Sequence, residues 1–190
     1  MAESWTRPLD AGERRLLLDL ARTVIRGALD GCLVELEEPA DGPLRQERGA
    51  FVTLMDGDRL RGCIGHVVGS ESLWSSVRSN AINAAFKDPR FPPLASAELS
   101  SLTIEISALS PLRTISNVEE IRVGRDGLIV ERGHLRGLLL PQVGERYDWS
   151  PEEFLDQTCR KAGMQPGCWR NPAARISAFQ AEVFSEEDFR

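Results

Sequence analysis

Apolar positions near the start of the chain recur at helical spacing, with Leu16, Leu17, Leu20, Ala21, Val24, Ile25 and Ala28 on one stripe. Asp10 followed by Glu13 supplies a capping-box start, and Gly31 is placed to end the helix. Such an amphipathic helix needs a surface to lie on, most simply a sheet. Residues 38–49 hold two Pro, two Gly and several charges and form a loop. Phe51–Met55 and Leu60–Gly65 then flank Asp56-Gly57, which predicts a β-hairpin. Ser70 is placed to cap a second helix carrying Leu73, Trp74, Val77, Ala81, Ala84 and Ala85. The prolines of Asp88-Pro89-Arg90-Phe91-Pro92-Pro93-Leu94 exclude helix interior.

Leu102, Ile104, Ile106 and Ala108 alternate with Thr103, Glu105 and Ser107, the period-two pattern of a strand with one buried face. Ile121–Val123 is expected to form a short strand. Residues 127–131 and 135–140 predict a second hairpin, turned at Arg132-Gly133-His134. Ser150, Pro151 and Glu153 open a last helix, with Phe154, Leu155, Thr158, Cys159 and Ala162 inward and Gly163 at its end. A strand over 175–184 and an acidic tail complete the chain. Leu60-Arg61-Gly62 and Leu135-Arg136-Gly137 each begin the second strand of their hairpin, a slight sign of a repeat. Without a regular βα alternation, the expected fold is α+β: a mostly antiparallel sheet flanked by helices, with a smaller second lobe. Residues 8–187 are expected to form a single domain behind a short tail, 1–7.

Composition narrows the function classes. The 190 residues carry a net charge of -6 and a pI near 5.1. Nucleic-acid binding needs a basic face and a peripheral membrane anchor a basic cluster, so both are disfavoured. No apolar run approaches the ~20 residues of a membrane-spanning helix, and Met1–Arg7 lacks the apolar core of a signal peptide. The expected location is cytoplasmic. In that reducing compartment Cys32, Cys63, Cys159 and Cys168 are expected as four free thiols.

The candidate chemistry gathers around Arg61-Gly62-Cys63-Ile64-Gly65. Glycine inside a strand marks a bulge or a close backbone approach, so Gly62 and Gly65 leave room beside the thiol for another group. On a regular pleat Arg61 shares the face of Cys63, where a cation favours thiolate. A nucleophile also needs a base. His66 faces the other side of a regular strand, and Glu105 stands on the polar face of its own strand as a base or as an ion-pair partner for Arg61. Arg90 and Phe91, on a stiff proline loop, are candidates for holding an anionic ligand group. Gln142 follows a strand end at Pro141, where side chains are rigidly placed but reachable. Cys63 with His66 and Cys159 with Cys168 lack the paired spacing of a structural zinc site, so no metal and no cofactor is expected. The alternative role for the same residues is packing.

Taken together, Leu60–Gly65, Asp88–Leu94, Ile104–Ser107, Gly137–Val143 and Lys161–Gly163 resemble, in order, the AMME chromosomal region gene 1 protein family. The resemblance spans about residues 12–185. Prokaryotic members are called AmmeMemoRadiSam system protein A, which implies relatives encoded near a Memo-like protein and a radical S-adenosylmethionine protein. It implies an α+β fold with a larger and a smaller lobe, and a working role for the LRGCIG motif, which maps unchanged onto Leu60–Gly65. Many members read Gly-Arg-His-Gly where this chain has Gly124-Arg125-Asp126-Gly127, so a histidine base at that place is absent here. The expected function is a binding or accessory protein acting with partner proteins in a modification pathway. The alternative is a thiol-dependent enzyme with Cys63 as nucleophile.

Overall fold

The computed structural model describes residues 7–32 and 34–190. It divides into two compact units: residues up to Pro111 together with Glu182–Arg190, and Leu112–Ala181. Each unit is α+β, an antiparallel sheet with helices packed on it.

The first unit opens with α1 (Ala11–Leu29). Asp10 accepts the Glu13 N–H while Glu13 accepts the Asp10 N–H, and Gly31 leaves the helix at φ 71°. Leu17, Leu18, Leu20, Ala21, Val24 and Ile25 are buried. Leu16 is 50% exposed, because it lies roughly a third of a turn from the centre of that stripe; Leu18 takes its place inside, and Ala28 in the last turn is also exposed. Strands β1 (Ala50–Asp56) and β2 (Arg59–His66) form the hairpin, with Gly57 at φ 57° in its turn. After α2 (Leu73–Phe86), β3 (Leu102–Leu109) pairs with β1 to give the order β2-β1-β3. The cap of α2 is Ser72 instead of Ser70, since Ser72 Oγ receives the Ser75 N–H.

Ala50, Val52, Leu54, Ile104, Ile106 and Ala108 are buried in one cluster with α1 and α2. Phe51, Thr53, Met55, Thr103, Glu105 and Ser107 occupy the other face. The C-terminal segment is fastened here by Glu182, whose carboxylate accepts from the Leu9 N–H, Arg14 and the buried Arg48.

In the second unit the antiparallel order is β6-β5-β7, from β5 (Asp126–Arg132), β6 (Leu135–Leu139) and β7 (Arg175–Ser185, in this unit as far as Ala181). The short β4 (Arg113–Thr114) also pairs with β7. Ile121–Val123 is not a strand. The Asp126 N–H returns to Arg122 O and the Asp126 carboxylate takes the Arg122 N–H, folding the segment into a tight loop at Gly124 (φ 84°). Helices α3 (Pro141–Arg146) and α4 (Pro151–Lys161) follow, the latter with the expected Ser150/Glu153 capping box. Phe154, Leu155, Thr158, Cys159 and Ala162 are buried.

The expectation of four free thiols is overturned. Cys159 and Cys168 form a disulfide with Cα atoms 6.1 Å apart, leaving Cys32 and Cys63 free. The cause is the loop after α4. Gly163 turns at φ 74°, the Met164 N–H returns to Cys159 O, and the chain doubles back to bring Cys168 into the same apolar cluster.

The two Leu-Arg-Gly triplets share a packing role. A Cβ on Gly62 would lie 2.3 Å from Ala84 O of α2, and one on Gly137 would lie 2.4 Å from Thr158 O of α4. In each hairpin the glycine lets a helix backbone press directly on the second strand.

Two outcomes test this description. Unfolded without reductant, the chain should titrate two thiols with Ellman's reagent, and four after reduction. Asp148, at φ 50° just beyond α3, holds a left-handed position that favours glycine; Asp148→Gly should stabilise the fold by about 0.5–1 kcal/mol in urea unfolding.

Candidate functional site

Strand β2 has a free side, and the main chain of Cys63 is bonded across it. The Cys63 N–H donates to Asp88 Oδ2 at 2.9 Å, and Arg90 Nη2 donates to Cys63 O at 3.1 Å. Asp88 in turn receives the Arg90 main-chain N–H (3.1 Å), Nε (2.9 Å) and Nη2 (2.7 Å). One buried carboxylate and one guanidinium thus take the place of a neighbouring strand, which closes an edge that would otherwise attract other chains. The hydrogen bonds from Arg90, supported by the Cys63 N–H, hold the Asp88 carboxyl far below the usual carboxylate range, and Asp88 raises Arg90 in return.

Arg61 is engaged elsewhere. The β1–β2 register slips by one residue between Leu54 and Met55, which pair with Gly62 and Leu60, so Arg61 is the extra residue of a bulge. Its Nε and Nη2 donate to the two oxygens of Glu98 at 2.7 and 3.1 Å, and Nη2 also reaches Pro92 O at 3.1 Å. The expected ion-pair partner, Glu105, is therefore replaced by Glu98. Arg61 lowers the Glu98 carboxyl, aided by the Ala95 N–H. The guanidinium carbons of Arg61 and Arg90 lie 5.9 and 5.4 Å from the centre of the Phe91 ring, within cation–π range.

The glycines of the motif are explained by close contact. Gly62 meets the backbone of α2, as above. A Cβ on Gly65 would lie 2.4 Å from the ring of Phe51, its cross-strand partner. Ile64 packs against the core of the first unit.

The Cys63 thiol is half-buried and receives a hydrogen bond from Thr53 Oγ1 at 3.3 Å. Thr53 is opposite Cys63 on one side and opposite Glu105 on the other, so Cys63, Thr53 and Glu105 form one rung across β2, β1 and β3. Burial raises the Glu105 carboxyl, and the negative charge of Asp188 adds to this. His66 belongs to the opposite face. Its Nε2 is 3.1 Å from Ser76 Oγ and its Nδ1 is 3.3 Å from Asn80 Nδ2, both on α2. The structure therefore gathers Arg61, Gly62, Cys63, Gly65, Arg90 and Phe91 around one strand, with Glu105 on the same sheet face as the thiol and His66 behind it. Gln142 is exposed on α3, in the second unit. Asp126 is buried there. Burial alone would raise its carboxyl, but hydrogen bonds from Arg125 and the Arg122 N–H, with the charges of Arg125 and Arg113, lower it overall. Among the described residues no group of three His, Cys, Asp or Glu side chains is disposed to hold a metal ion, and no helix is long and apolar enough to cross a membrane.

Thr53, Asp88 and Glu98 were not anticipated as members of this set. The only sequence signal for Asp88 was its place at the head of the proline loop. Thr53 and Glu98 gave none.

The AMMECR1 family model matches residues 18–184 of the chain. The chain belongs to the AMMECR1 family. It is similar to an AMMECR1-family protein of Methanothermobacter thermautotrophicus, with 46% identity covering 95% of this chain and 97% of the relative. Protein MJ0810 of Methanocaldococcus jannaschii is 39% identical, covering 97% and 95%. Among solved structures, the crystal structure of the uncharacterized protein PH0010 from Pyrococcus horikoshii superposes with a TM-score of 0.79 at 40% identity, covering 90% of each chain. This AMMECR1 chain therefore shares its α+β fold with an experimentally solved relative.

Because a Cβ at Gly62 would meet a helix carbonyl that has no flexible side chain to move aside, Gly62→Ala should destabilise by about 1–3 kcal/mol. Thermal unfolding followed by circular dichroism reads the loss.

Proposed function

We propose that this AMMECR1 chain is a cytoplasmic binding or accessory domain that recognises a partner protein in a modification pathway. Its recognition surface is strand β2 with the 88–98 loop. The observation that supports this reading is the Asp88–Arg90 clip. It fastens the main chain of Cys63 and fixes a guanidinium that remains 53% exposed. Among the described residues Arg90 Nη1 makes no hydrogen bond, and Phe91, Pro92 and Pro93 stand beside it with the two prolines exposed.

An arginine and an aromatic ring on stiff backbone suit protein recognition, because little conformational freedom is lost on binding. The free donors of Arg90 suit a carboxylate on the partner. The first partners to try are a Memo-like protein and a radical S-adenosylmethionine protein. A second reading, thiol chemistry at Cys63, is favoured by the hydrogen bond from Thr53 and the rung that continues to Glu105.

Biolayer interferometry against each purified candidate tests the first reading. Binding on the order of micromolar Kd is expected, weakened about tenfold by Arg90→Ala and by Phe91→Ala. No binding to either protein, or equal binding by both variants and the wild type, overturns it.

A further inference from the structure

We propose that Glu105 is the base for the Cys63 thiol and acts through the hydroxyl of Thr53. The inference is independent of partner recognition. A base was missing from the residues near Cys63 in sequence, and His66 lies on the wrong face of the sheet. The register supplies one from a distant part of the chain, because Cys63, Thr53 and Glu105 face the same way on three adjacent strands. Thr53 Oγ1 is already 3.3 Å from the sulfur, to which it donates, and rotating its O–H toward Glu105 leaves an oxygen lone pair to accept the thiol proton. Side chains directly opposite across an antiparallel pair have Cβ atoms about 5 Å apart, so the longer Glu105 side chain can reach the same hydroxyl. Among the described residues, no hydrogen bond or ion pair occupies the Glu105 carboxyl.

The groups facing this rung are few. Asp188, beyond β7, raises Glu105 by its charge, and Arg190 donates to Thr103 Oγ1 on β3 at 3.4 Å and lies 3.6 Å from Glu187. On the β2 side, Arg90 interacts electrostatically with Cys63 and is itself paired with Asp88. Burial and Asp188 keep Glu105 a better proton acceptor than an exposed carboxylate. Thr53 carries both a donor and an acceptor on one atom, as a relay requires.

The sulfur lone pair forms a bond to an electrophilic carbon as the leaving group departs with its bonding electrons. The thiol proton passes to Thr53 Oγ1, and the Thr53 proton passes to the Glu105 carboxylate. The ligand class is thus an alkyl or acyl electrophile, and no oxidant or reductant takes part.

Alkylation by iodoacetamide, with iodide as leaving group, tests the relay without knowledge of a natural substrate. Rates at Cys63 and at exposed Cys32 are followed by mass spectrometry from pH 5 to 9 in the intact chain. At pH 7, Glu105→Gln and Thr53→Val should each slow Cys63 about tenfold, the double variant should be no slower than either, and Thr53→Ser should stay close to wild type. Toward the acid end of the range the wild-type rate should fall as Glu105 takes up a proton, a fall that Glu105→Gln lacks. Cys32 should react alike in all variants, which together with unchanged circular dichroism reports an intact fold. An unchanged Cys63 rate in Glu105→Gln, or a Thr53→Ser variant as slow as Thr53→Val, overturns the proposal. If instead the Glu105→Gln chain loses its fold, Thr53→Val and its rescue by Thr53→Ser decide alone.

Discussion

A charged carboxylate removed from water must be compensated on the spot, and the first unit is arranged around one that is. Asp88 collects four N–H donors: the main chain of Cys63, the main chain of Arg90, and two nitrogens of the Arg90 guanidinium. Pro89 contributes no donor and fixes its own backbone torsion, which lets Arg90 turn back on the residue two places earlier. Once that turn is set, Phe91 comes to rest near both arginines and the Pro92 carbonyl faces Arg61. The loop contains only one short helical turn, Ser96–Glu98, yet Asp88, Arg90, Pro92 and Glu98 each bond to β2 and Leu94 bonds to Ala85 of α2.

The same logic recasts the LRGCIG motif. Both of its glycines are where they are because something else occupies the space a methyl group would need: a helix carbonyl at Gly62, and the Ala50 carbonyl with the Phe51 ring at Gly65. Ile64 faces the core, and Arg61 closes onto Glu98. Most of the motif is thus packing. What packing leaves unexplained is the half-buried thiol, turned toward Thr53 on the polar face of the sheet.

Much of the fold was legible because burial imposes a period. The alternation of β3, the Asp56-Gly57 hairpin and the capped helices all follow from side-chain patterns. The misplacement of Leu16 shows the limit, since a helix stripe has edges that only the packed neighbour defines. Ile121–Val123 has the composition of a strand, but the Asp126 carboxylate captures its backbone first. The site was less legible. Counted outward from the hairpin turn without interruption, Cys63 would oppose Val52, on the apolar face. The bulge at Arg61 changes its partner to Thr53. One extra residue thus decides whether the thiol meets the core or a hydroxyl, and nothing in the local composition announces it. Glu98 and the Cys159–Cys168 pairing were hidden for a related reason: each depends on how a loop returns.

Glu182 has an implication for the order in which the molecule is made. Its carboxylate is the meeting point of Leu9, Arg14 and the buried Arg48, yet it is encoded after the whole of the second unit. A ribosome has therefore released the second unit almost entirely before the first can satisfy its deepest cation. The second unit ends at Ala181, one residue before Glu182, so the two units receive the residues that complete them almost together.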